Sequence, residues 1–302
     1  MNCILGCNKG IQFVRAVNGY EIMKCMNCGL TFSLPMKSKE DYSQEVTHDR
    51  WEFNIVLEIL KNLDNPKVFE LGCGDGRFLL KLQKIGLDCY GLDINKQGVL
   101  KAIEDGVKNV FHGYLNQDFA RRFANYFDII FGFHVLEHIE NINDTIKLCK
   151  IMLKENGFLV FSVPSPDRLS SRIFKEDWDN PPYHLTRWTK KALTILLENN
   201  GFRVVDFIEE PLNLKSAYIY IVDTQILIRD VLLKFKKTSN LNSTSNPRFG
   251  KKVKIKKAFF GFSFKVISYL FGILLFSCVR LFAVIFPGIN KGLSLVVVAK
   301  KE

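Results

Sequence analysis

The chain lacks the features of an exported protein. Its first ten residues contain no continuous apolar run, and no small-residue cleavage site follows them. This absence predicts a cytoplasmic protein, in which the eight cysteines serve as thiols or metal ligands and not as a disulfide framework. With 302 residues, the chain is long enough for one large domain with an accessory module.

Acidic residues are absent from one segment, and this absence explains most of the net charge. Nine lysines and arginines and no acid lie between Lys234 and Lys257, whereas the whole chain carries a net charge of +11. The rest of the chain is therefore nearly neutral. A local concentration of positive charge predicts a local anionic partner, such as a phosphate group or an anionic membrane surface.

Four cysteines near the amino terminus have the spacing of a structural zinc site. Three residues separate Cys3 from Cys7, two separate Cys25 from Cys28, and 17 lie between the pairs. This pattern predicts a zinc-ribbon-like module over residues 1–36, with four sulfur ligands around zinc. Such a site has no open coordination position, so we expect it to stabilise the module or contact substrate. The alternative is four thiols without a ligand.

Alternating strand and helix patterns predict an α/β fold with a doubly wound, mostly parallel, seven-stranded sheet. The predicted strands are 67–71, 88–92, 109–112, 127–131, 157–163, 202–209 and 293–300, and helices are predicted at 51–63, 77–85, 96–105 and 142–153. The main domain then covers residues 40–211. A helical, basic and apolar insert follows at 212–290, and residues 291–302 return as the last strand.

The turn after the first of these strands lacks the glycine spacing of dinucleotide-binding proteins. Residues 68–76 read VFELGCGDG, and the position that G-x-G-x-x-G requires as its last glycine is Arg77. Gly72, Gly74 and Gly76 allow a sharp turn that brings backbone N–H groups close to a ligand. The missing glycine argues against a nucleotide-sugar oxidoreductase.

Two acids predict the charge of the ligand at this turn. Glu70 would repel a pyrophosphate but would attract a cation such as the amino group of S-adenosylmethionine. Asp93, which follows Gly72 by 21 residues at the end of the next strand, is placed to bind ribose hydroxyls.

Together with HVLEH at 134–138, these residues resemble the class I S-adenosylmethionine-dependent methyltransferases, and in particular their ubiquinone-type and surface-glycan branch. The resemblance covers roughly residues 54–210 and the last strand. It implies that Phe133 and His134 flank the cofactor, and that Cys73 and Ile94 also lie against it. Where the family usually has an acid that meets adenine, this chain has Tyr114, so Phe119 or backbone groups are candidates for that role.

Methyl transfer to a hydroxyl requires removal of a proton, and histidines are the natural candidates for that step. His134, His138 and His184 are expected on loops at the carboxyl edge of the sheet, where open α/β sheets bind ligands. We predict His184 as the general base and His134 as a residue that packs against the cofactor. Glu137 with His138 would orient the substrate or bind a divalent ion. The alternative is that these two residues cap the following helix.

Residues 180–183 read NPPY, a motif typical of amino-methyltransferases. In those enzymes the motif directly follows the fourth strand, whereas here that strand leads into HVLEH. We therefore predict that the prolines shape a loop over the active site. Thr186 or Thr189 is expected to cap the helix after this loop.

The insert contains an uncharged run at 266–279, which is short for a single membrane crossing. Its basic neighbours predict peripheral contact of residues 251–286 with an anionic membrane. The alternative is a buried helix or a dimer interface.

The predicted function is therefore O-methylation of a sugar hydroxyl or lipid-linked glycan intermediate at the inner face of the membrane. One alternative is a quinone-ring O-methyltransferase. Another, less favoured, is a nucleic-acid-binding protein that uses the cysteine module and the basic linker.

Overall fold

A central seven-stranded sheet organises the computed structural model, which describes residues 2–8, 10–38, 50–168, 179–211 and 291–302. The chain divides into two compact units. The first contains Met1–Pro166, Glu176–Glu210 and Ser294–Glu302, and the second contains Asp167–Lys175 and Pro211–Leu293. The predicted insert at 212–290, with its basic segment and its apolar run, lies outside the described residues.

The large sheet contains the strands β4 (Lys67–Leu71), β5 (Asp88–Asp93), β6 (Asn109–His112), β7 (Phe127–Phe133), β8 (Leu153–Pro164), β10 (Phe202–Pro211) and β11 (Lys291–Lys301). They lie side by side in the order β10-β11-β8-β7-β4-β5-β6. The pairs β4–β5, β4–β7, β5–β6 and β7–β8 are parallel, and β11 runs antiparallel to β8. Strand β4 lies between β5 and β7, so the connections run outward in both directions from β4. In open α/β sheets this reversal point creates the crevice for a ligand.

Six helices are found in the described part of the chain, and three of them begin where a side chain caps them. They are α1 (Glu52–Leu60), α2 (Arg77–Lys84), α3 (Lys96–Glu104), α4 (Gln117–Arg122), α5 (Ile142–Met152) and α6 (Lys190–Asn199). Asn95 accepts hydrogen bonds from the first turn of α3, and Asn116 does the same for α4. Thr189 caps α6 as predicted, by accepting from the Ala192 N–H at 3.1 Å.

The sheet is covered on both faces, because successive apolar residues of its strands point to opposite sides. Val68, Ile129 and Val160 pack with residues of α1, α2 and α3. Their chain neighbours, among them Phe69 and Phe161, pack on the other side with residues of α4, α5 and α6. Continuous apolar strands of this kind therefore produce two core layers.

A second, smaller sheet contains three consecutive strands near the amino terminus and one from far along the chain. Strands β1 (Ile11–Val17), β2 (Tyr20–Cys25) and β3 (Thr31–Leu34) form an antiparallel meander. Strand β9 (Thr186–Arg187) adds to β3 as the fourth strand, again antiparallel. Thr186, one of the two predicted helix caps, is therefore a strand residue.

The predicted α/β fold with a mostly parallel, seven-stranded sheet is confirmed. The seven predicted strands are present, and several extend one to four residues beyond their expected ends. Helix α4 and strand β9 were not expected. Within the residues that the structure describes, no helix is both long and apolar enough to cross a bilayer.

Gly91 in β5 provides a direct test of the packing behind the glycine turn. A Cβ at this position would lie 2.4 Å from Leu79 Cδ1 and 2.8 Å from Cys73 Sγ, and both neighbours are buried. We expect Gly91→Ala to lower the free energy of unfolding by about 1–3 kcal/mol because the core becomes overpacked. Urea denaturation measures this change. Gly10→Ala is the control, since a Cβ there meets nothing within 4 Å; equal stability of the two variants would contradict the prediction.

Candidate active site

The glycine turn connects β4 to α2, and most of its backbone N–H groups donate to other groups of the protein. The Gly72 N–H donates to the Leu92 carbonyl at 2.8 Å, which fastens the turn to the neighbouring strand. Gly76 has a φ of +66°, and a Cβ on it would lie 2.8 Å from the Ala102 Cβ. Only glycine satisfies both conditions, which explains the residue at the start of α2.

Asp93 holds the turn and the following loop together. Its Oδ2 accepts from the Gly74 N–H at 2.7 Å, and its Oδ1 accepts from the Asn95 N–H at 2.7 Å. Burial raises the pKa of Asp93, although these backbone hydrogen bonds oppose the shift. Each carboxylate oxygen still has a lone pair for a further donor, such as a ribose hydroxyl.

Glu70, at the end of β4, is a buried acid whose negative charge is poorly compensated. Its side chain is only 5% exposed, and its Oε2 has no hydrogen-bond partner within the described residues. Burial raises its pKa well above the ordinary value, and Asp93 and Asp75 add to the rise while Arg50 opposes it. A buried carboxylate without a partner is costly, and a bound cation would relieve that cost.

A cleft of about 720 Å³ opens over the carboxyl edge of the sheet. The glycine turn, the end of β5 and the segment Gly113–Leu115 form one end. Phe133, His134, the one-turn 3-10 helix Leu136–His138 and His184 form the other. Every residue predicted to bind the cofactor or to act in catalysis lines this cleft except Gly76, which lies at the start of α2. The lining residues from the prediction are Glu70, Gly72, Cys73, Gly74, Asp93, Ile94, Phe133, His134, Glu137, His138 and His184.

Of the two aromatic residues considered at the position where the resemblance predicts an adenine contact, one lines the cleft and the other does not. Tyr114 is 64% exposed and lines the cleft beside Leu115 and Ile94. Phe119 does not line it, because its ring packs against Phe69 and Phe111 on the helix-covered face of the sheet. Phe119 is therefore excluded as an adenine contact, and the segment at 113–115 takes its place as the candidate.

His134 is the centre of a buried ion-pair network. Its Nε2 lies 3.1 Å from Glu52 Oε1 and 3.1 Å from Ser294 Oγ, and its Nδ1 lies 3.3 Å from Glu137 Oε1. Burial disfavours the imidazolium, but the two carboxylates outweigh it and raise the pKa of His134 to about 9. The ring therefore fixes α1 and Glu137 at the edge of the cleft.

Glu137, His138 and His184 converge on the side of the cleft that follows β7. One ligand atom from each lies within 4.8 Å of the other two, and the rings of the two histidines meet edge to face at 4.7 Å. Glu137 is fully buried; burial alone would raise its pKa, but its histidine neighbours, His134 foremost, lower it to about 2. Burial lowers the pKa of His138.

Both histidines of this cluster are oriented by hydrogen bonds at Nδ1. His138 Nδ1 lies 2.7 Å from the Tyr183 carbonyl oxygen, and His184 Nδ1 lies 2.8 Å from Asp179 Oδ1. The alternative in which Glu137 and His138 cap the next helix is wrong. Helix α5 begins after Asn141, and neither oxygen of Glu137 accepts a hydrogen bond within the described residues.

The NPPY segment is a structural turn. Asn180 Oδ1 accepts from Arg15 Nη2 at 2.6 Å and from Arg187 Nη2 at 3.1 Å. The Asn180 carbonyl accepts from the backbone N–H groups of Tyr183 and His184. The segment therefore does not follow β7, as an amino-methyltransferase motif would, and it places His184 over the cleft.

The four amino-terminal cysteines fit a tetrahedral metal site. They are buried, their sulfur atoms all lie within 4.8 Å of one another, and Cys3 Sγ is 3.8 Å from Cys28 Sγ. A regular tetrahedron with Zn–S bonds of about 2.3 Å has edges of about 3.8 Å. That separation is far longer than the roughly 2.05 Å of a disulfide bond. The module is therefore shaped for zinc, which stays a prediction.

The cysteine module is attached to the loop that carries His184. Ser33 donates from both its N–H and its Oγ to the Leu185 carbonyl, at 2.9 and 2.7 Å. Thr189 Oγ1 donates to the Cys28 carbonyl at 2.6 Å. The chain from β9 to α6 is thus held by the module, and the Leu185 N–H donates to the Glu137 carbonyl at 2.7 Å.

Sequence reasoning missed two acids that shape the site. Glu52, in the first turn of α1, gave no signal for its contact with His134 across the sheet edge. Asp179 lies five residues before His184 and orients it, but carboxylates in a polar loop are too common to single one out. In both cases the missing information is tertiary.

Comparison with known proteins agrees with this geometry. The sequence profile of a methyltransferase domain family matches residues 44–206, which is more than half of the chain. The chain therefore belongs to the methyltransferase domain family, and its sheet is the Rossmann-like fold of class I methyltransferases. A SAM-dependent methyltransferase from Archaeoglobus fulgidus aligns over 83% of this chain and 93% of its own, with a TM-score of 0.50 and 18% identity. One from Mesorhizobium loti aligns over 83% and 97%, with a TM-score of 0.50 and 15% identity.

Curated relatives match a shorter region. The ubiquinone biosynthesis O-methyltransferase of Vibrio parahaemolyticus is 31% identical over 113 residues, which is 36% of this chain and 48% of that protein. The chain spans about half the length of the curated relatives it matches.

Metal content tests the cysteine module. We expect Cys25→Ser to lose about one equivalent of zinc relative to the unmodified protein, because a tetrahedral thiolate site does not tolerate loss of a ligand. Elemental analysis of the purified proteins measures the zinc content. In Cys25→Ser, cleavage by trypsin at Arg187 should also become faster, because β9 loses its support from the cysteine module. Cys89→Ala removes a buried thiol elsewhere and should keep the zinc. Equal zinc in the unmodified protein and Cys25→Ser would show that the thiols bind none.

Proposed function

We propose that this chain transfers the methyl group of S-adenosylmethionine to a hydroxyl oxygen of a small acceptor. The single observation that carries the proposal is Glu70 beside the glycine turn, a buried acid whose Oε2 has no hydrogen-bond partner within the described residues. A site for a dinucleotide would need the opposite charge there. A cationic cofactor would instead supply the missing partner of the carboxylate.

The residues around Glu70 fit the rest of such a cofactor. The backbone of Gly72, Cys73 and Gly74 would face its amino-acid part, and Asp93 would accept from the ribose hydroxyls. Ile94 and the segment at 113–115 would enclose the base. Phe133 and His134 line the cleft between this end and the acceptor. When bound, the cofactor supplies an electrophilic methyl group on a sulfonium.

The cluster of Glu137, His138 and His184 supports a hydroxyl as the acceptor. In the transfer, the methyl carbon leaves sulfur and bonds to oxygen, and the hydroxyl proton must be lost. The cluster lies in the same cleft as Glu70 and is the group of titratable side chains on the acceptor side. His184 is the sequence-based candidate for the base, and Asp179 orients its ring as a base requires.

Two kinds of acceptor agree with this chemistry. The relatives named ubiquinone biosynthesis O-methyltransferases support a ring hydroxyl of a quinone precursor. The sugar or lipid-linked glycan hydroxyl, which the cysteine module suggested, stays a prediction. We also propose, from the sequence, a cytoplasmic protein with peripheral membrane contact through residues 251–286 and without a nucleic-acid partner. Those residues lie outside the described ones.

Calorimetry and methyl transfer test the proposal. The purified chain should bind S-adenosylhomocysteine, the demethylated product, and should not bind nicotinamide nucleotides. With labelled cofactor and membrane or soluble extracts, the label should appear in a small or lipid-soluble molecule. Binding of nicotinamide nucleotides without S-adenosylhomocysteine, or label in nucleic acid alone, would contradict the proposal.

Glu70→Gln tests the cation contact. The amide keeps the shape of the side chain but removes its charge, so affinity for S-adenosylhomocysteine should fall about tenfold, or ~1.4 kcal/mol. Affinity for methylthioadenosine, which lacks the amino group, should change much less. Calorimetry with both ligands gives the comparison. An equal loss for both would assign Glu70 to the architecture of the turn and not to the cation.

Asp93→Ala tests the ribose contact. We expect affinity for S-adenosylhomocysteine to fall by roughly 10- to 100-fold, since hydrogen bonds to a charged group contribute about 1.5–3 kcal/mol each. Asp88→Ala, at the exposed start of the same strand, is the matched control and should bind normally. Unchanged affinity of Asp93→Ala would show that the ribose site is elsewhere.

A further inference from the structure

We infer that Glu137, His138 and His184 bind a divalent transition-metal ion, and that this ion holds the acceptor hydroxyl. The inference rests on the proposed function for its role in catalysis, but the ion site itself stands on geometry. One ligand atom from each of the three residues lies within 4.8 Å of the other two, so a small adjustment would place all three around one ion. This site is separate from the four cysteines.

The hydrogen bonds at Nδ1 fix which nitrogen of each ring has a lone pair. A carbonyl oxygen only accepts, so His138 Nδ1 must donate to Tyr183. His184 Nδ1 likewise donates to the Asp179 carboxylate. In the neutral rings the lone pair is therefore on Nε2. Metal-binding histidines have this arrangement, with the second nitrogen donating to a carboxylate or a backbone carbonyl.

Glu137 supplies the third ligand and a reason for a cation. It is fully buried, and neither of its oxygens accepts a hydrogen bond within the described residues. His134 Nδ1 lies 3.3 Å from Oε1, but Nε2 of the same ring lies 3.1 Å from Glu52 Oε1, so one ring faces two buried carboxyl groups. A divalent ion would compensate the remaining charge and satisfy the buried oxygens.

The donor set indicates the kind of ion and its chemistry. Two imidazoles and one carboxylate suit zinc, iron or cobalt better than magnesium or calcium, which prefer oxygen ligands. Three protein ligands leave at least one coordination position open. A hydroxyl bound there would lose its proton to water more readily, because the ion stabilises the alkoxide or phenolate. With the ion bound, His184 would be a ligand and not the general base. The oxygen then attacks the methyl carbon, the carbon–sulfur bond breaks, and the neutral thioether leaves.

Cobalt titration of the full-length protein tests the ion site apart from the cysteines. Thiolate ligands give cobalt an intense charge-transfer absorption, whereas histidine and carboxylate ligands do not. We expect about two equivalents to bind, one with that absorption and one without it. Glu137→Gln, His138→Gln and His184→Gln should each lose only the second class. His112→Gln, a histidine outside the cleft, is the matched control and should bind both.

Two results would overturn the inference. One is a single class of cobalt, with thiolate absorption, in the unmodified protein, a result that does not depend on whether any variant folds. The other is unchanged binding of both classes in folded Glu137→Gln and His184→Gln. S-adenosylhomocysteine binding is measured on the same samples and should change less than about threefold in these variants. If the unmodified protein binds cobalt at both sites but no S-adenosylhomocysteine, the proposed function fails and the ion site stands.

Discussion

Buried negative charge at the carboxyl edge of the sheet is the constraint on which the rest of the site depends. Glu70 ends β4 and Glu137 follows β7, its neighbour in the sheet, so two carboxylates enter one cleft from adjacent strands. Neither is solvated, and a buried charge persists only when something compensates it. His134, which Glu137 shares with Glu52, compensates Glu137 in part, whereas Glu70 has only the influence of Arg50, which lines the same cleft. Within the described residues, both carboxyl groups are therefore short of positive charge.

The position of the acceptor end depends on a contact between distant parts of the chain. Strand β9 is two residues long and pairs with β3 of the cysteine module, so this short loop gains its order from the module. His184 lies two residues before β9, between the Asn180 turn and the Leu185 hydrogen bonds. A structural metal in the module would therefore stabilise the acceptor side of the cleft without touching the substrate. A closed four-sulfur site would then affect the cleft through β9 while offering no open position for chemistry.

The fold was predictable from the sequence because its signals are local. Apolar runs such as FDIIFGF, bounded by polar turns, identify buried parallel strands, and the spacing of Gly72, Gly74 and Gly76 identifies the turn between β4 and α2. The same local signals predict that Glu70 and Asp93 lie close together, since the ends of neighbouring parallel strands meet at one edge of the sheet. Helix α4 is six residues long, which is too short for a clear helical period in the sequence. Strand β9, Glu52 and Asp179 act through contacts of long sequence separation, which no local pattern records.

The charges of the cleft also limit the acceptor. Its lining includes five acids, Glu70, Asp75, Asp93, Glu137 and Glu140, against the guanidinium groups of Arg50 and Arg77 and the ring of His134. Arg77 is already paired with Asp75 at 2.8 Å, and His134 lies between Glu52 and Glu137. Apart from the proposed cofactor and ion, an acceptor with a phosphate or pyrophosphate beside its reactive hydroxyl would meet more acids than cations, and burial would strengthen the repulsion. A neutral acceptor avoids that cost. A quinone precursor meets this condition, whereas a lipid-linked glycan meets it only if its phosphate stays outside the cleft.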